Sequence, residues 1–167
     1  MNAEVRDLEE IPAARMALPI YRIGAWLLDG LVLLVPTMIV MLGVGRPTLD
    51  GNTLVLRHEV AVLTAIFGLR SVYELVCTAL RGQTVGKRVC KIQVLRMDDG
   101  SLPGWGVALT RVIAQNIANL LAVVVGPIGG LYQLADFLFV LRAPLHQALH
   151  DMAARTVVID LRPAPPR

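Results

Sequence analysis

Three long apolar blocks limit what this chain can become. The first runs from about Ile23 to Val44 and reads IGAWLLDGLVLLVPTMIVMLGV, with Asp29 as its one charge. The second runs from about Val60 to Leu80, reads VAVLTAIFGLRSVYELVCTAL, and holds Arg70 and Glu74. Roughly 20 residues of helix, rising 1.5 Å each, span the ~30 Å hydrocarbon core of a bilayer. The third block, from about Trp105 to Leu141, is broken by Gly126-Pro127-Ile128-Gly129-Gly130. Proline lacks a donor and glycine is a weak helix former, so a helix of about Val107 to Val125 is expected, then a turn, then a shorter helix of about Leu131 to Leu141.

A soluble helical bundle does not fit these blocks. A helix that meets water needs a polar face, and Leu31 to Val44 offers none. Only 17 % of the 167 residues are charged, against about one quarter in an ordinary soluble domain. Mean hydropathy is +0.61. The expected fold class is an all-α membrane protein of three to four transmembrane or re-entrant helices.

Basic residues collect in cytoplasmic loops. The segment between the second and third blocks carries Arg81, Lys87, Arg88, Lys91 and Arg96. That places this central loop in the cytoplasm, the N-terminus with it, and the Gly45 loop outside. Arg142, Arg155, Arg162 and Arg167 favour a cytoplasmic C-terminus, which needs two crossings after the central loop. Three crossings with the C-terminus outside is the alternative. The acidic and basic residues before the first block do not resemble a cleavable signal peptide. A pI of about 9.2 is read as topology and contact with anionic lipid, not nucleic-acid binding. Residues 1–16 are expected to be a mobile tail, residues 17–160 the membrane domain, and residues 161–167 a disordered end.

The central loop has structure of its own. Arg88 to Leu95, RVCKIQVL, is rich in branched apolar residues and suits a strand, followed by an Asp98-Asp99-Gly100 turn. Thr156-Val-Val-Ile-Asp160 is a second strand candidate. The two pair into a small cytoplasmic ribbon only if the C-terminus lies inside.

Ionisable residues within the apolar blocks are the candidate functional residues. A carboxylate in a membrane helix needs a partner or water. Asp29 sits two turns after Arg22, on the same helical face, so Arg22 is its candidate partner. Arg70 and Glu74 are spaced i, i+4 and can neutralise each other. Tyr132 and Asp136 share that spacing, and Asp136 is a second buried carboxylate. Gln115, Asn116 and Asn119 suit packing through interhelical hydrogen bonds at about 0.6 kcal/mol each. So much polarity within four short helices is what a proton or cation path, or a small polar ligand site, requires. Packing alone remains the plainer account of each pair.

Other chemistry finds little support. Gly82-Gln83-Thr84-Val85-Gly86-Lys87-Arg88 has the wrong glycine spacing for a phosphate-binding loop and no Ser or Thr after the lysine. His146 and His150 lack the glutamate of a zinc helix, and Cys77 and Cys90 have no metal or redox spacing. No metal, cofactor or catalytic activity is expected.

Tyr21-Arg22-Ile-Gly-Ala-Trp-Leu-Leu-Asp29, the Gly82-to-Arg88 run, Asp99-Gly100 followed by Arg111, and Leu149-His150-Asp151-Met-Ala153-Ala-Arg-Thr156 together resemble the RDD family of bacterial membrane proteins. The resemblance covers about Ala17 to Ile159. It implies a bacterial cytoplasmic-membrane location and no settled general function. It identifies Arg22 and Asp29 with the family's Arg and first Asp, and Asp151 or Asp136 with the second. Gly82, Gln83, Thr84, Gly86, Lys87, Arg88 and His150 match its motif positions. One departure is Arg155, where the family commonly has glycine. Transport of a small ligand, or exchange of cations for protons, is the implied function. An accessory subunit bound to another membrane protein, or a homo-oligomer, is the competing expectation.

Overall fold

The computed structural model describes residues 15–45, 48–50, 53–55, 58–125, 135, 138–141 and 146–163. Strand β1 is Arg15–Met16 and leads into helix α1, Pro19–Gly45. Proline suits the first helical position because its missing N–H has no partner there anyway. Pro36 lies inside α1, as membrane helices tolerate. A hairpin of β2 (Thr48–Asp50) and β3 (Thr53–Val55) connects α1 to helix α2, Glu59–Arg81.

Gly82 ends α2. Its backbone is left-handed at φ 64°, and its N–H donates to the Thr78 carbonyl at 2.9 Å. Five residues then form the short helix α3, Val85–Val89, capped by Thr84. Strand β4 follows at Ile92–Arg96 and helix α4 at Gly104–Val125. Helix α5, Leu149–Ala153, and strand β5, Thr156–Asp160, complete the described elements.

By length and composition α1 and α2 can each cross a bilayer, and only 6 % of either apolar window is buried. A soluble core helix would be mostly covered. Leu31, Val35 and Ile39 of α1 are 65 %, 65 % and 66 % exposed, and Val60 of α2 is 79 % exposed. Hydrocarbon is the surrounding that such a surface fits. Helix α4 packs along α2, and Asn116 Nδ2 donates to Ser71 Oγ across the contact at 2.8 Å. This is the packing role expected of that amide.

The polar end of the bundle is closed by an antiparallel sheet in the order β1-β5-β4. Ile92 to Arg96 pair with Asp160 back to Thr156, which sets Val94 opposite Val158. The expected ribbon therefore exists, with β1 as a third strand on the other edge of β5. Arg15 and Met16, assigned to the mobile tail by sequence, form that strand, and Ala17 is fully buried. The strand expected from Arg88 starts four residues later, because the Thr84 cap turns Val85–Val89 into helix first. Ala17, Ala25, Ile92, Val94 and Val158 form the core between sheet and α1. The guanidinium of Arg162, placed by sequence in the disordered end, stacks 3.2 Å from the Tyr21 ring centroid and bonds Asp160.

Strand pairing has a topological consequence. Because β1, β4 and β5 share one sheet, the N-terminal segment, the central loop and the C-terminal strand lie at the same face. The arrangement with an opposite-side C-terminus is incompatible with the β4–β5 register. Tyr132, Asp136 and most of the expected last helix lie outside the described residues. A chain lacking Cys77 and Cys90 but carrying Gln93→Cys and Ile159→Cys is expected to form an intramolecular disulfide on mild oxidation, since these residues are Cα partners. A folded variant that shows no gel-shifted, reductant-sensitive species would refute this register.

Candidate functional site

Asp29 lies on the face of α1 turned toward the loop after α2, and it is 7 % exposed. Its Oδ1 accepts from the Tyr73 hydroxyl at 2.7 Å and from the Gly86 N–H at 2.7 Å. Its Oδ2 accepts from the Thr84 hydroxyl at 2.6 Å. The carboxylate thus receives one first-turn N–H of α3, that of Gly86, and the hydroxyl of its cap Thr84, in the manner of a capping group supplied from another helix. Tyr73 also accepts from the Val85 N–H at 2.9 Å, which ties the same turn to α2.

The Gly82-to-Arg88 run explains itself residue by residue. A side chain at Gly82 would strike the Val94 carbonyl oxygen, so glycine both turns the chain and lets β4 approach. Gln83 Nε2 donates to the Ile92 carbonyl at 2.9 Å and holds the start of β4. A Cβ on Gly86 would meet the Ala25 carbonyl oxygen and lie 2.9 Å from the Asp29 carboxylate. Only glycine lets this loop sit so close to α1. Lys87 reaches Glu74 at 3.3 Å, while the Arg88 side chain is exposed.

A second carboxylate gathers the other elements. Asp151, in α5, is fully buried. Arg22 Nη1 donates to its Oδ2 at 2.6 Å, Arg111 Nη1 donates to its Oδ1, and the Ala148 N–H donates to Oδ2 at 3.1 Å. Arg111 also donates to Thr156 Oγ1 at 3.1 Å, and His150 Nε2 lies 3.7 Å from Asp151 Oδ1. Burial alone would raise the Asp151 carboxyl. Arg111 and Arg22, with His150 nearby, nevertheless hold it far below the ordinary carboxylate range. Burial draws the Lys87 ammonium below its ordinary value, and Glu74 pulls it the other way.

These contacts correct the pairs expected from spacing. Arg22 does not bond Asp29 but crosses to Asp151. Glu74 bonds Lys87 rather than Arg70, and the Arg70 guanidinium lies 5.9 Å from the Trp26 ring centroid. An i, i+4 pair contributes only a few tenths of a kcal/mol, so a better-placed cation from the loop displaces it. Tyr73 and Arg111 escaped selection as site residues. Tyr73 carries no spacing signal, and Arg111 pairs with a residue forty positions away. Of the two candidates for the second acidic position of the resemblance, Asp151 meets Arg22, and Asp136 lies outside the described residues. Arg155 has φ 49°, a left-handed backbone that glycine adopts without steric penalty.

A cavity of about 560 Å³ opens beside Asp29 and the arginines that hold Asp151. Arg22, Arg70, Lys87 and Arg111 line it, against the carboxylates of Asp29 and Glu74. Ile23, Trp26 and Phe67 supply an apolar wall, and Gln115 and His150 add polar groups. Among the described residues no cluster of His, Cys, Asp and Glu could hold a metal ion.

Replacing Asp29 by Ala is expected to lower unfolding stability in detergent by about 3 kcal/mol, because three donors lose their acceptor in a buried setting. Asp29→Asn should fall between, since one carbonyl oxygen can keep two of them. Gly86→Ala should cost about 1–3 kcal/mol by displacing the loop. An Asp29→Ala protein as stable as the parent would show that the carboxylate does not hold this joint.

The Asp151 latch carries a pH signature. Its folded pKa lies below its unfolded one, so its stabilisation is complete above about pH 4. It is lost as pH falls from there toward the folded value. Thermal unfolding is expected to hold a latch contribution from pH 8 to about 4 that Asp151→Asn removes. A latch contribution already lost by pH 6 would contradict this order.

The RDD family model matches residues 16–155. No curated protein and no solved structure matches the chain.

Proposed function

The chain belongs to the RDD family, and on that premise we propose that it captures a small polar ligand in the charged cavity as the loading step of transport. One observation carries this reading: the carboxylates are already occupied while the cations outnumber them around a half-open cavity. Asp29 and Asp151 each accept from three donors, and Glu74 is held by Lys87. A bare cation moving through them would have to displace charge-assisted hydrogen bonds, the strongest kind available. The cavity volume of about 560 Å³ lies in the range of small-molecule sites. Exchange of cations for protons is the less favoured of the two activities.

Exposed Arg81, Arg88 and Lys91 at the sheet-bearing face support a cytoplasmic position for that face, with the ligand loaded from there. The exposed apolar sides of α1 and α2 support a second copy or another membrane protein as a neighbour that completes a path.

Gln115→Cys, in a background without Cys77 and Cys90, is expected to react in intact membranes with a small neutral methanethiosulfonate. An unreactive cysteine in folded protein would reject a ligand-accessible cavity. Proteoliposomes holding a pH dye should show no proton movement on a Na+ or K+ gradient. Movement that Asp29→Asn abolishes without unfolding would restore the exchanger.

A further inference from the structure

We infer that the cavity binds a phosphate-bearing anion, with Arg22, Arg70 and Arg111 as its cationic wall. The inference rests on the ligand-binding reading and names the chemical class of the ligand.

Charge points to an anion. Arg22, Arg70, Lys87 and Arg111 line the space, and the acidic groups within reach are Asp29, Glu74 and Asp151. One positive charge is left over even if every carboxylate is ionised and His150 is neutral. Nor is the surplus consumed by hydrogen bonds. Arg70 has no carboxylate partner among the described residues; its contact is the face of Trp26. Arg22 and Arg111 share the single carboxylate of Asp151.

Donor capacity points the same way. Nε and Nη2 of Arg22 and Nε of Arg111 are buried without an acceptor among the described residues, and the Arg111 side chain is 3 % exposed. Guanidinium groups present planar donor pairs that match the oxygens of phosphate. A small rotation of either side chain would turn such a pair to an entering oxyanion while Asp151 keeps its other arginine.

Size and lining favour a phosphate with an organic substituent. A space of about 560 Å³ is far larger than an inorganic phosphate needs. Ile23, Trp26 and Phe67 also line it, from helices of membrane-spanning length, and Trp26 is 57 % exposed. Cationic and apolar side chains lining one half-open space fit a lipid headgroup phosphate with its glycerol. Free phosphate shares the chemistry without using the apolar wall.

Trp26 offers the readout. In a Trp105→Phe protein it is the sole indole. The full-length protein in phosphate-free neutral detergent is titrated with inorganic phosphate, with phosphatidylglycerol micelles and with phosphatidylcholine micelles, following Trp26 emission and the thermal midpoint. Saturable binding of phosphatidylglycerol at least ten-fold tighter than phosphatidylcholine, weakened about ten-fold by Arg70→Gln, supports the lipid source. Saturation by inorganic phosphate with no preference between lipids, weakened by the same variant, supports free phosphate. No saturable response to phosphate or phosphatidylglycerol, or equal affinity in folded Arg70→Gln protein, overturns the inference. Labelling at Gln115→Cys separates the failures. A reactive cysteine with no phosphate response leaves the ligand cavity standing and removes only the anion.

Discussion

A carboxylate inside an apolar helix has to be satisfied, and the way Asp29 is satisfied organises this protein. Asp29 is nearly buried, and an unpartnered charge there costs several kcal/mol. Its own helix offers no free donor. The donors come instead from Tyr73 on α2 and from Thr84 and Gly86 at the start of α3. One acidic group therefore fixes three things together: the approach of α1 to α2, the fold-back of the central loop, and the start of the short helix that presents Lys87. Gly86 permits the contact because any larger residue would meet the Ala25 carbonyl.

Once the loop is anchored, the rest of the polar end follows. Gly82 and Gln83 pass the chain into β4, β5 pairs with β4, and β1 adds to the far edge. Asp151 then sits under the sheet between Arg22 and Arg111. Elements from both ends of the chain and from α4 are held by that one group. Each carboxylate serves as a joint, and joints made of charge-assisted hydrogen bonds resist substitution because the partner left behind is buried. The cavity opens beside the joints, and its excess of cations is what remains after the acids have been used for assembly.

The difference between spacing and contact has a physical basis. Positions i and i+4 meet on a helix, but the energy they gain is small and is outbid by a partner with better geometry or deeper burial. Arg70 and Glu74 show this: the loop delivers Lys87 to Glu74, and Arg70 turns to Trp26. Arg22 likewise passes over Asp29, two turns along its helix, for Asp151. Distances along a helix were legible; partners more than a hundred residues apart were not. Strands β4 and β5 were legible because branched residues and turn signals are local features, whereas β1 and the β2–β3 hairpin were not. The Gly82-to-Arg88 run was recognisable as a pattern, but its work as a joint required seeing what each glycine lies against.

By itself the sequence determined the solvent of this protein and its gross order. Apolar blocks of membrane length, basic loops and two strand-forming segments are properties of neighbouring residues, and local physics is enough to read them. It also marked Arg22, Asp29, Arg70, Glu74 and Asp136 as residues that must find partners, while Asp151 stood out only through the family resemblance. Only the tertiary structure decided which partners they found. Two acids are saturated, one lysine is drawn inward, and arginines are left around a half-open cavity. That outcome depends on where separate helices bring their donors, and burial makes each choice exclusive: a carboxylate with three donors has little capacity left for an ion.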